Sequence, residues 1–213
     1  MKWGTHKNRF VSDALIRRLP RYFRFFSQLQ EEGVARISSN EMSQKIGFTA
    51  SQIRQDFNCF GGFGQQGYGY NVIHLKESIA SILGLEAGYK TILIGAGNLG
   101  RAVVAHIDFE SYGFHLIGIF DKKESVAGHL VRGLPVRPEE NLDEFCRERL
   151  PETAVICVSG EEAPSLCEQL VRLGIKAFWN FSHFDVAGAF PALAVETVRL
   201  DDSLMNLCYK LNQ

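Results

Sequence analysis

No run of about 18 apolar residues occurs in the 213-residue chain, so no segment is long enough to cross a membrane as a helix. The opening MKWGTHKNRF has no apolar stretch behind its charges and does not read as a secretory signal. A cytoplasmic location is the expectation. Cysteine is sparse: Cys59, Cys146, Cys157, Cys167 and Cys208 are scattered. None forms a C-x-x-C pair or a Cys/His cluster of metal-ligand spacing, so no metal is expected. The odd count reads as thiols of a reducing compartment. Internal repeats are lacking too. Net charge is only −1, a value that by itself suggests no charged partner.

What is present is an ordinary globular composition, 46% hydrophobic and 22% charged, with length for one large domain or two small ones. The charge is unevenly spread. Residues 1–86 carry 11 Lys and Arg against 7 Asp and Glu, a balance of +4. Residues 87–213 carry 12 against 17, a balance of −5. A basic first part joined to an acidic second part suggests that the first meets a polyanion.

In the basic part, Leu15, Leu19, Tyr22, Phe23, Phe26 and Leu29 recur at helical spacing over 13–30, and Gly33 closes that helix. Ser38 and Glu41 have the spacing of a capping box and open a short helix, roughly 40–46, that stops at Gly47. A third helix starts at Thr49 and runs to about residue 59. Helix, tight glycine turn, helix is the helix-turn-helix pattern. Five glycines within 61–70, interleaved with aromatics, exclude a helix and suit a hairpin, the wing of a winged helix. A further helix spans 72–85, and a domain boundary falls at about 87.

The third helix has two faces. Ile53, Phe57 and Phe60 pack inward. Ser51, Gln52, Arg54 and Gln55 point out, where Arg can fork to guanine and Gln to adenine in a major groove. Thr49 and Ser51 can meet phosphate through hydroxyl and backbone N–H. Ser38, the cations Lys7, Arg9, Arg17, Arg18, Arg21 and Lys45, and Gln66, Gly67 and Tyr68 of the wing complete the expected contact to double-stranded DNA. A helical packing module with a solvated polar face is the alternative.

The acidic part alternates strand and helix from residue 91 to a closing helix over 202–212. That alternation predicts an α/β fold with a doubly wound parallel sheet. Gly95-Ala96-Gly97-Asn98-Leu99-Gly100 fits G-x-G-x-x-G between the strand TILI and a helix, the context that a dinucleotide loop needs. The first glycine permits the turn, the second lets backbone approach a pyrophosphate, and the third packs helix on sheet. Asp121 ends the next strand, where an acid takes the ribose hydroxyls and repels a 2′-phosphate. The neighbouring Lys122 and Lys123 blur that preference for NAD(H) over NADP(H). A glycine turn without a ligand is the alternative.

Several segments together resemble one family: RLPRYFRFFSQL (18–29), RISSNEMSQKIGFTASQIRQDFNCFG (36–61), GYGYNV (67–72), TILIGAGNLGRA (91–102), GIFD (118–121) and LGIKAFWNF (173–181). The chain resembles the Rex redox-sensing repressors over nearly its whole length. The resemblance implies a winged-helix domain (1–86), a Rossmann domain binding NADH or NAD+ (87–200) and a closing helix (201–213) swapped onto the partner of a homodimer. It also implies release of a palindromic operator when NADH rises. By position it puts Arg54 and Gln55 on the base-reading stretch and Arg24 at interdomain and intersubunit contacts. Gly95, Gly97, Gly100 and Asp121 fall on the cofactor site, with Phe181 in the nicotinamide pocket.

Departures from the family pattern gather at two places. Gln65 and Gln66 stand in the wing where a cation is usual. Ser159-Gly160 replaces the proline of a Val-Pro, Ser182-His183 replaces Ala-Pro, and Arg199 stands where an aspartate is common. Asp201 or Asp202 is the candidate substitute for that carboxylate. The expected switch is electrostatic: an apolar pocket penalises the cationic oxidised ring and accepts the neutral reduced one. Two rivals share these residues. One is a regulator that senses ADP, ATP or a CoA derivative. The other is an NAD-dependent oxidoreductase, for which His183 is the base best placed by position.

Overall fold

The computed structural model describes residues 12–59, 64–65 and 68–212. They divide into two compact units, Met1–Glu86 and Ala87–Gln213. In the first unit α1 (Asp13–Ile16) and α2 (Leu19–Glu31) precede β1 (Arg36–Ile37), α3 (Ser39–Ile46) and α4 (Ala50–Asn58). β2 (Gly64–Gln65), β3 (Gly69–Asn71) and α5 (Val72–Leu83) follow. One helix was expected over 13–30, and two form. Pro20 has no N–H to give to the carbonyl a turn earlier, so the chain breaks at Arg17-Arg18 and restarts with proline in its first turn.

The helix-turn-helix is held by its caps. Ser38 Oγ accepts from the Glu41 N–H, and the Glu41 carboxylate accepts from the Ser38 N–H at 2.7 Å. Gly47 ends α3 in the left-handed region, at φ 67°. Thr49 then caps α4 by accepting from the Gln52 N–H at 3.1 Å. Behind these helices Leu19, Tyr22, Phe26, Ile46, Ile53, Phe57 and Ile79 share one core. β3 lies between β1 and β2, antiparallel to both. β1 is only two residues long, too short for an alternating pattern to announce it.

The second unit is a seven-stranded sheet in the order β10-β9-β8-β4-β5-β7-β6. Its strands are β4 (Tyr89–Ile94), β5 (Phe114–Asp121), β6 (Leu130–Val131), β7 (Leu134–Pro138), β8 (Thr153–Ile156), β9 (Ala177–Asn180) and β10 (Ala194–Thr197). All pairs are parallel except β6 with β7. Counted along the chain without β6, the order is that of the dinucleotide-binding doubly wound sheet, with its switch point between β4 and β8. The β6–β7 hairpin escapes the sequence pattern because Pro135 and Pro138 interrupt it.

The helices are α6 (Asn98–His106), α7 (Leu142–Arg149), α8 (Ala163–Arg172), the short α9 (Val186–Ala189) and α10 (Leu200–Leu211). α7 and α8 pack on Ile92, Ile94, Ala154, Ile156 and Phe178 on one face of the sheet. α6 packs on Leu93, Ile119 and Val155 on the other. Beside α6 an apolar groove of about 640 Å³ runs past Phe109, Tyr112, Phe114, Trp179 and Val195. α10 buries none of its residues: Leu204 is 68%, Leu207 52% and Leu211 79% exposed. Among the described residues no helix is long and apolar enough to cross a membrane, and no cluster of His, Cys, Asp and Glu could hold a metal ion.

Candidate functional site

The three loop glycines differ in what surrounds them. Gly95 has φ 98°, and a Cβ there would stand 2.6 Å from the Cys157 carbonyl carbon and oxygen. A Cβ on Gly100 would lie 1.9 Å from the Gly95 carbonyl oxygen. Both positions are therefore closed by backbone. Over Gly97, by contrast, a Cβ would meet nothing within 4 Å. Gly97 is the N-cap of α6, and no side chain caps that helix. Its first-turn N–H groups lack intrahelical partners and adjoin open space, at the positive end of the dipole. That donor set fits a diphosphate.

At one side of the loop, Asp121 is 8% exposed and both its oxygens are engaged. Oδ2 accepts from the Ala96 N–H at 2.7 Å and Oδ1 from the Lys123 N–H at 2.8 Å. A carboxylate has about four lone-pair sites, so it can still accept from ribose hydroxyls. Asp121 thus also fixes the glycine loop, a role that spacing alone did not reveal. Lys122 pairs with Glu162 at the start of α8. A cavity of about 380 Å³ beside Asp121 is rimmed by Glu124, Glu139, Glu140 and Gln169. Burial pushes the Glu139 carboxyl above its usual range, against the pull of Lys122. This end is acidic, and one of its two nearby lysines is already paired.

On the other side, Leu99, Phe181, Ser182, His183, Val198, Arg199, Leu200 and Asp201 line a pocket of about 260 Å³. Phe181 rests on Trp179, with ring centroids 4.7 Å apart. Buried Asn180 holds the turn that presents Phe181 and His183. Its Oδ1 accepts from the Ser182 N–H at 3.0 Å and from the Ser182 hydroxyl at 2.6 Å, and its Nδ2 donates to the Phe184 carbonyl. Ser159 is exposed, and its carbonyl accepts the N–H groups of Glu162 and Ala163. Positions 182–183 and 199, apart in sequence, line this pocket, and Gly160 stands beside His183. Asp202 lies exposed in the first turn of α10.

In the first unit Ser51, Arg54 and Gln55 are exposed on α4, while Ile53 and Phe57 are buried, as the two-faced reading requires. Arg54 donates to Ser39 Oγ at 3.0 Å, which ties the readable face to the start of α3. Lys45, Arg24 and Arg17 are exposed. Tyr68 is 70% exposed, and its carbonyl accepts from Arg36. Arg9, Lys7, Phe60, Gln66 and Gly67 lie outside the described residues.

Arg18 requires a correction. It does not point to a ligand but forks onto Asp56, which is 2% exposed on the inner side of α4. Asp56 also accepts from the Tyr22 hydroxyl and from Gln52 Nε2, each at 2.8 Å. Gln52 is therefore partly committed within the unit. Burial pushes the Asp56 carboxyl up, but the hydrogen bonds from Arg18, Gln52 and Tyr22 outweigh it and hold the group below its usual value. Sequence alone misses this network because an acid inside a polar helix reads as surface.

Comparison with known proteins matches residues 10–58 to the family described as Putative DNA-binding protein N-terminus and residues 86–184 to the CoA binding domain. The Redox-sensing transcriptional repressor Rex of Clostridium novyi (strain NT) is 47% identical over 206 residues, 97% of this chain and 98% of its own. The protein of the same name from Thermoanaerobacter sp. (strain X514) is 47% identical over 207 residues, 97% of this chain and 92% of its own. Among solved structures, RSP in complex with beta-NAD+ and operator DNA aligns with TM-score 0.86 at 46% identity, covering 96% of this chain and 94% of that one. RSP in complex with beta-NADH aligns with TM-score 0.84 at 43% identity, covering 96% of both chains.

Proposed function

The chain belongs to the Rex family of redox-sensing transcriptional repressors, and on that premise we propose that it represses transcription at an operator and leaves it when NADH binds. The observation that carries this reading is the pairing, in one chain, of a capped recognition helix with an uncapped glycine loop. Arg54 and Gln55 read base edges from α4, and Thr49, Ser51, Ser38 and Lys45 meet phosphates. Gly97, Asn98, Leu99 and Gly100 offer backbone to the diphosphate, Asp121 takes the ribose, and Phe181 faces the ring. NAD(H) supplies a ring whose charge records the redox state of the cell. The protein needs only a different affinity of the two forms for its DNA-bound and free states.

Sensing through the ligand rather than through thiols agrees with Cys146, Cys157 and Cys167, while Cys59 and Cys208 are exposed. Burial pushes Cys146 and Cys167 up to about 11 and Cys157 to about 12, so they remain protonated at neutral pH. His183 faces Arg199 through Nδ1, an unsuitable setting for a base, and the relatives are named repressors. We place the protein in the cytoplasm, where the chromosome is accessible. We also propose a homodimer that reads two half-sites of a palindrome. The unburied apolar stripe of α10 supports it, because such a face needs a second copy to cover it.

The CoA binding domain match keeps a second reading in view, in which another adenine nucleotide is the signal. Operator binding measured at fixed salt, with NAD+, NADH, ADP and CoA varied, separates the two. Loss of the DNA complex with NADH alone supports redox sensing. DNA affinity unchanged at saturating NADH refutes it.

A further inference from the structure

Three loops meet near the end of β9, and their residues touch. A Cβ on Gly160 would stand 3.4 Å from the Cβ of His183. Arg199 donates from Nη2 to the His183 carbonyl and sets Nη1 against Nδ1, at 3.2 Å in each case. Arginine has no acceptor, so in this contact Nδ1 takes the accepting role. The guanidinium, whose contacts to His183 are exposed, has no carboxylate partner among the described residues. Arg199 therefore places a permanent positive charge on the wall of the 260 Å³ pocket that Phe181 and Leu99 share. Asp201 lines the same pocket and makes no ion pair with Arg199 among the described residues.

The strand order says which part of a dinucleotide this charge meets. Asp121 ends β5 on one side of β4, and Phe181 follows β9 on the other. A ligand with its ribose at Asp121 and its diphosphate on the loop carries its second ring toward Phe181. We infer that Arg199 is a specificity-determining residue for the redox state of that ring, an inference that rests on the dinucleotide reading above. The oxidised ring is cationic and the reduced ring neutral. A guanidinium held here repels the first and leaves the second alone, and because its contacts to His183 are exposed the effect is open to screening by salt. His183 is the positioning residue that keeps the fork turned to the pocket.

Calorimetric titration of the full chain with NAD+, NADH and ADP tests this on the wild type, Arg199→Gln and Arg199→Lys. Neutralising the charge in Arg199→Gln tightens NAD+ about tenfold, or about 1.4 kcal/mol, and moves NADH and ADP by less than about twofold. The lysine variant keeps the charge and most of the discrimination. Added salt narrows the NADH preference of the wild type and leaves that of Arg199→Gln flat. If Arg199→Gln leaves NAD+ unchanged, or weakens both dinucleotides together, Arg199 anchors ligand or does nothing, and the inference falls. Wild-type protein that binds NADH no tighter than ADP overturns the dinucleotide reading itself, whatever the variants do.

Discussion

Arg18 and Asp56 stand 38 residues apart in sequence, yet Nε and Nη2 of one reach the two oxygens of the other at 2.8 and 2.7 Å. The pair fastens α2 to the buried side of α4. Asp56→Ala leaves a partly buried guanidinium and the buried Tyr22 hydroxyl without their acceptor. We expect a loss of about 3–5 kcal/mol from the N-terminal unit, read by calorimetry, with weaker operator binding. Replacing the buried partners together, Arg18→Met and Tyr22→Phe with Asp56→Leu, should recover most of the stability.

The same carboxylate fixes an acid limit. Its native value lies below the ordinary 3.8, so its stabilising effect is complete above the unfolded value. That effect disappears as pH falls through the native value. The melting temperature of the N-terminal unit should drop below about pH 4, and Asp56→Asn should flatten that dependence. A fluorescence melt at pH 3 to 7 checks both.

Gly97 and Gly100 separate binding from folding. Gly97→Ala adds a methyl to open space, so the melting temperature should stay within about 2 °C while NADH affinity falls on the order of tenfold. Gly100→Ala drives a methyl into the Gly95 carbonyl and should destabilise the C-terminal unit by more than about 2 kcal/mol. Paired melting and calorimetry distinguish the two outcomes.

NADPH should bind on the order of 100-fold more weakly than NADH, because its 2′-phosphate would enter a rim of Asp121, Glu124, Glu139 and Glu140. Lys122 is occupied with Glu162. Glu162→Gln should free Lys122 and narrow the gap, which competition titration would measure.

Removing residues 200–213 deletes α10 and its exposed leucines. We expect the truncated protein to sediment as a monomer where the full chain is a dimer. Its operator affinity should then fall steeply, since each half-site is held alone.

Local chemistry explains what could be read in advance. The capping box of Ser38 and Glu41, the left-handed Gly47 and the glycines of the loop act within a few residues, so their spacing carries their geometry. Arg18 was misread because composition reveals a charge and not its direction. The fork to Asp56 exists only once α2 lies across α4. β7 was hidden by its prolines, and the contact of Gly160, His183 and Arg199 depends on three separate loops converging. Asp121 lies between these cases: its position was legible, its bond to Ala96 was not.

In the proposed complex the diphosphate meets backbone at the start of α6, where no side chain caps the helix. Substitution there weakens the hold, as at Gly97, or disturbs the fold, as at Gly100, and neither change selects between ligands. On the proposed placement, substitutions that change which ligand is preferred fall at its two ends, the acidic rim and the Arg199 wall. The lineage can retune its threshold at one end without losing its hold on the molecule as a whole.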